Sequence, residues 1–132
     1  MEMAEHPTAA LIRDLYAAFF AGDMETVSNG FADDIIFHVP GRSPLSGTYY
    51  GKDQVFAMFT AEAELLSDVK TEIHDVLGSD DHVVVLKADS VTRNGRTWSG
   101  SDVDVMHVKD GKIAEFWNVF PDVYGYDELL NS

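Results

Sequence analysis

The chain has 132 residues, 45% hydrophobic and 24% charged, with a formal net charge of −14 from 23 acidic against 9 basic side chains. That length suits one domain around one core, taken here as residues 1–132, and a field of that sign opposes phosphate backbones and anionic lipids, so nucleic-acid and membrane-surface roles are disfavoured. No cysteine is present, which excludes disulfides, thiolate metal sites and cysteine nucleophiles.

The start, Met1-Glu2-Met3-Ala4-Glu5-His6, is acidic where a secretory signal would be basic, and no apolar run is long enough to span a bilayer. The expectation is a cytoplasmic protein. Thr8 can cap a helix running to about Ala21, whose apolar positions Leu11, Ile12, Leu15, Tyr16, Phe19 and Phe20 recur at helical spacing. Gly22 ends it, and Asp23 can cap a short second helix through Val27. Asp34–Val39 reads as a strand, after which Pro40, Gly41, Pro44, Gly47 and Gly51 mark a loop. A third helix follows from about Asp53 to Leu66, with Val55, Phe56, Phe59, Ala63 and Leu66 as its inner stripe.

The second half turns to strands: Thr71–Leu77, His82–Thr92, Thr97–Lys109 and Lys112–Phe120. The turns between them hold Asn94-Gly95 and Asp110-Gly111, the strongest short hairpin signals because both residues accept positive φ. Helices first and an antiparallel meander afterwards predict an α+β domain, with helices on one face of a curved antiparallel sheet.

Several segments carry a resemblance. Ala21-Gly22-Asp23 and Phe31–Gly41 are similar to the nuclear transport factor 2-like superfamily, and Pro44–Gly51 resembles its SnoaL-like branch. Asp104–Ile113 is similar to the matching hairpin of bacterial ketosteroid isomerases. The resemblance covers nearly the whole chain and implies a bent sheet wrapped by three helices into a cone-shaped pocket. It also implies a homodimer and a small hydrophobic ligand. Members include isomerases, polyketide cyclases, epoxide hydrolases and non-catalytic binders, so the fold does not decide the function.

The resemblance places a catalytic aspartate base at Val39 and an oxyanion-hole tyrosine at Leu15, with Tyr16 one residue on and about 100° round the helix. It places a protonated aspartic acid at Asp104, which is retained; that isomerase is a standard case of a carboxylic acid kept neutral by its apolar site. With two of three groups missing, classical ketosteroid isomerisation is not expected. Strand alternation alone would bury Val103, Val105 and His107 and expose Asp102 and Asp104; the resemblance turns both aspartates into the cone. Carboxylates at i and i+2 lie roughly 7 Å apart. In an apolar pocket at least one would have a raised pKa, which suits general acid–base work.

By the same register Lys87 and Asp89 would face inward, unless their strand face is solvated. Phe116, Asn118 and Phe120 share the face that the resemblance puts in the pocket, where Asn118 is either a ligand-binding amide or a bonded core amide. His38 could assist as a base, although it alternates to the opposite face from Val39. Tyr16, Val39 and, beside the mouth, Tyr50 are candidate binding residues with Lys87, Asp89 and Asn118, and Phe19, Phe31, Phe37 and Phe59 would shape the cavity with Phe116 and Phe120.

No phosphate loop, nucleophile elbow, dinucleotide fingerprint or metal-ligand spacing is present. The expectation is a cofactor-free, metal-free isomerase or cyclase acting on a hydrophobic, polyketide-like carbonyl compound. Asp104, Asp102 and His38 are its candidate catalytic residues. A non-catalytic binder is the alternative. An epoxide hydrolase ranks last, since that pocket needs an arginine beside its acids and Lys87 is a weak substitute.

Overall fold

The computed structural model describes residues 5–132. Helix α1 (Pro7–Phe20) is capped by the His6 ring, which accepts from Thr8 N at 3.2 Å. Thr8, expected as the cap, lies inside the first turn, because Pro7 fills the first helical position, where a missing N–H costs nothing. Asp23 caps α2 (Met24–Asn29) by accepting from Thr26 N. β1 (Phe31–Val39) begins three residues earlier than its β-branched run suggests. β2 (Gly47–Tyr50) lies in the segment expected to be a loop, and pairs antiparallel with Ile36–Val39. Its four residues, which begin at Gly47 and stop before Gly51, both at positive φ, are too few for periodicity to register.

Helix α3 (Gly51–Leu65) precedes β3 (Asp68–Gly78), β4 (His82–Arg93), β5 (Arg96–Lys109) and β6 (Lys112–Val119). The β4–β5 and β5–β6 turns place Asn94-Gly95 and Asp110-Gly111 at positive φ, as two-residue hairpins require. The sheet order is β2-β1-β6-β5-β4-β3. The expected meander occupies β3–β6, and the sheet is mixed because β1 pairs with β6 in parallel. A fourth helix that the sequence reading lacked, α4 (Val123–Leu130), starts at Asp122, whose side chain accepts from Gly125 N.

The three N-terminal helices lie against the sheet, α1 on β3 and β4, α3 on β1 and β2, and α2 on β1. One apolar cluster, built on Ile12, Ile35, Val55, Val83, Val85 and Met106, fills the space between them. A second, around Trp98, Phe120, Tyr126, Leu129 and Leu130, seats α4 against β5. Between the two clusters the sheet holds two buried charged residues, Asp102 and Asp104.

Candidate active site

A cavity of about 160 Å³ opens between α1, α3 and the inner face of the sheet. Its walls are largely aromatic. Phe37 and Phe116 stack at 4.1 Å, and Phe59 meets Phe37 and Phe19 edge-on at 5.8 and 5.3 Å. Phe31, Val39 and Phe120 also line it.

On the sheet side three adjacent strands bring polar groups together. Register pairs Lys87 of β4 with Asp102 of β5, and Asp104 of β5 with Asn118 of β6. Strand alternation turns all four inward, with Asp89 two residues beyond Lys87. Asp102 is 3% exposed and Asp104 1%. Lys87 Nζ lies 2.6 Å from Asp104 Oδ2 and 3.0 Å from Asp102 Oδ2. Asn118 Nδ2 donates to Asp102 Oδ1 at 2.7 Å and to Asp104 Oδ1 at 2.8 Å. The Tyr16 hydroxyl donates to Asp104 Oδ2, and Lys87 Nζ sits 5.5 Å from the centre of the Tyr16 ring.

The charges are unbalanced: one ammonium faces Asp89, Asp102 and Asp104 in a site that water barely reaches. Desolvation pushes Asp102 up to about 7, a hydrogen bond with the Asp89 carboxyl adds to the rise, and Lys87 opposes it. Asp104 is also raised by desolvation, against the pull of Lys87 and the Tyr16 hydrogen bond. For Lys87 burial acts downward, but Asp104 and Asp102 outweigh it, so the net shift is upward and the ammonium persists. Burial and the neighbouring Asp104 hold Tyr16 well above the usual phenol value, as a hydrogen-bond donor. Among the described residues, the outer oxygen Oδ1 of Asp89 is buried with no donor. The cluster thus combines Asp102, pushed up to about 7, and Asp104, also raised, with a fixed ammonium and a fixed phenol.

Tyr16 lines the cavity and its hydroxyl reaches Asp104, while Leu15, where the resemblance sets a tyrosine, packs into the apolar core. Other expectations are corrected. His38 is not in the cavity. Alternation sends it to the outer face, where Nε2 lies 2.6 Å from Glu115 Oε2 and the ring stacks on Trp117 at 5.7 Å. Tyr50 is 62% exposed on β2 and does not line the cavity, because it points away from Tyr49, whose hydroxyl donates to Leu45 O. The inner stripe of α3 is Val55, Met58, Phe59 and Glu62, while Ala63 faces solvent. Glu62 and Tyr126 line the cavity and were missed. Glu62 follows Val55 by seven residues and Met58 by four, a helical spacing that marks it as inward even though its charge argues otherwise. No arginine lines the cavity among the described residues.

Residues 12–116 match the SnoaL-like domain family. The chain therefore belongs to the SnoaL-like family of nuclear transport factor 2-like proteins. It is similar to Bal32a from a soil-derived mobile gene cassette, with 30% identity, a TM-score of 0.84, and 93% of this chain and 95% of that one covered. A nuclear transport factor 2-like protein of Burkholderia pseudomallei is 25% identical with a TM-score of 0.86, covering 95% and 98%. TerC, co-crystallised with polyporic acid, is 25% identical with a TM-score of 0.84, covering 96% and 100%.

Proposed function

We propose that this protein is a cofactor-independent isomerase or cyclase that moves a proton on a small hydrophobic carbonyl compound. The reading rests on one observation: Asp102, pushed up to about 7, is clasped with Lys87, Asp104 and Tyr16 on the wall of an aromatic cavity. A group titrating near the working pH suits proton transfer. Lys87 supplies a fixed ammonium beside which an enolate oxygen is stabilised without solvent reorganisation, and Tyr16 holds Asp104 in place by its hydrogen bond. The cavity is close in volume to one that accepts a single benzene ring, so one ring fits within it, a second extends towards its mouth, and a four-ring steroid overfills it. The co-crystallisation of TerC with polyporic acid adds support for a small-molecule ligand on this fold.

The test is exchange of α-hydrogens for deuterium in cyclohexanone and 2-tetralone, followed by NMR. Wild-type protein is expected to accelerate exchange, and Asp104→Asn to lose roughly 100-fold or more, the scale of an acid–base group. Binding of these ketones with no exchange, and affinity in Asp104→Asn within about tenfold of wild type, would instead establish a hydrophobic-ligand binder.

The same reading includes a homodimer through the outer face of the sheet. Register sets Leu77, Val84, Val105 and Trp117 in one row across β3–β6, with Leu86, Val103 and Val119 beside it. Leu77 and Val119 are exposed. An apolar face of this kind is suited to a second copy. Light scattering that shows a monomer at micromolar concentration overturns this part.

A further inference from the structure

Helix α3 carries an acid where its inward stripe should continue apolar. Val55, Met58, Phe59 and Glu62 follow i, i+3, i+4, i+7. Val55 and Met58 are buried, and Met58, Phe59 and Glu62 line the cavity. Glu62 therefore stands on the helix wall, while Lys87, Asp102 and Asp104 stand on the sheet wall. It feels those groups through space, with no hydrogen bond between them. Solvated positions lie directly beside it at Ala63 and Glu64. A carboxyl turned inward without a partner loses hydration and gains nothing structural in return. Val39, where the base of related isomerases stands, is an unreactive side chain.

We propose that Glu62 is the catalytic base, taking the substrate's α proton from the helix side while the Lys87–Asp104–Tyr16 cluster receives the carbonyl oxygen on the sheet side. The inference rests on the proton-transfer reading above. In the step, the α C–H bond breaks and its electron pair forms the enolate C=C bond. The carbonyl π pair moves onto oxygen, and the proton passes to the Glu62 carboxylate. Its return to the same or a conjugated carbon completes the turnover, so no oxidant or co-reactant is needed. Two reacting groups on opposite walls leave a flat ring between them, which matches the stacked and edge-on phenyl rings that line the space.

The groups facing Glu62 set its titration. Desolvation raises its pKa, the Lys87 ammonium opposes that, and Asp102 and Asp104 add to the rise. Across the cavity Tyr126 is raised first by its own burial and then by the Glu62 charge, and Asp89 contributes further negative charge. A base held above the ordinary glutamate value is stronger when ionised.

Two measurements test the proposal. The first needs no substrate: carboxyl carbon-13 NMR on glutamate-labelled protein, with the Glu62 signal identified by its loss in Glu62→Gln. A midpoint above the usual 4.3 is expected; a midpoint at or below it overturns the assignment. The second is the ketone exchange assay. Glu62→Gln is expected to lose at least about 100-fold with ketone affinity nearly unchanged, and Glu62→Asp to recover part of the rate. Should the Gln variant fail to fold, Glu62→Met carries the same test, since it completes the apolar stripe. If Asp104→Asn abolishes exchange and Glu62→Gln leaves it intact, proton transfer stands and Glu62 is not the base. If wild-type protein exchanges neither ketone, the proton-transfer reading fails and this assignment falls with it.

Discussion

Replacing Asp102 with Asn isolates the titration on which the functional reading depends. The amide keeps the shape of the carboxyl and removes its proton equilibrium. In the folded protein Asp102 rises from 3.8 to about 7, chiefly because burial penalises its charge. An acid whose folded value is raised binds its proton more tightly folded than unfolded. Its stabilising contribution is full below the unfolded value near 3.9, declines as pH rises, and is gone above about 7. Three units at 1.36 kcal/mol each correspond to about 4 kcal/mol. The stability of Asp102→Asn relative to wild type is therefore expected to improve by up to about 4 kcal/mol between pH 4 and pH 7, then to stay level to pH 9. Asp104 and Glu62 are also raised by desolvation, and because the Asp102 charge raises both further, each loses part of its rise in the variant, which adds to the difference in the same direction. Urea unfolding at five pH values, with an unchanged m-value, measures this directly. Parallel stability curves for the two proteins would refute the reasoning, because they would mean that Asp102 binds its proton no more tightly in the folded protein than in the unfolded chain.

Lys87→Met removes the cation among the three aspartates. It is expected to destabilise the protein by about 3–5 kcal/mol at pH 8 and by clearly less at pH 5, where protonation relieves the stranded carboxylates; thermal melts at the two pH values check this. Tyr16→Phe leaves Asp104 without its phenol donor and should cost about 1–3 kcal/mol in denaturant unfolding. Gly41→Ala places a Cβ 2.4 Å from Asp127 Oδ1 at a backbone φ of +91°, and a lowered melting temperature is expected from a loss of about 1 kcal/mol or more.

The fold was legible where local chemistry decides structure. Asn94-Gly95 and Asp110-Gly111 both supply positive φ, and the strands they join followed at once. The helical spacing of Ile12 and Leu15 likewise marks a buried face. Legibility ended where the element owes its existence to distant partners. β2 is held by its pairing with Ile36–Val39, and the parallel β1–β6 pairing joins residues about eighty positions apart. Nothing in the local pattern of either segment reports such a neighbour. Helix α4 has good internal signals in Asp122, Tyr126, Leu129 and Leu130, but Gly125 interrupts a stretch of only eight residues.

The site was harder to read because hydrophobic patterning assumes that charges face water, and here they do not. On β5 the pattern alone exposes Asp102 and Asp104, although they are among the best-buried residues of the chain. What makes that burial tolerable lies on other elements: Lys87 on β4, Asn118 on β6 and Tyr16 on α1 each contribute a donor. A carboxylate can be buried only with such partners, and no single strand shows them. His38 failed for the converse reason. It sits beside Val39 in sequence, yet a strand sends neighbours to opposite faces, and its ring is bonded to Glu115 outside the cone. Glu62 was missed because the stripe was drawn from Phe59 through the apolar residues Ala63 and Leu66 and passed over the acid just before Ala63. In this domain the same position lines the cavity. An inward charge that breaks a buried pattern, and that finds no partner inside the protein, is thus a stronger pointer to chemistry than a titratable residue next to the expected position.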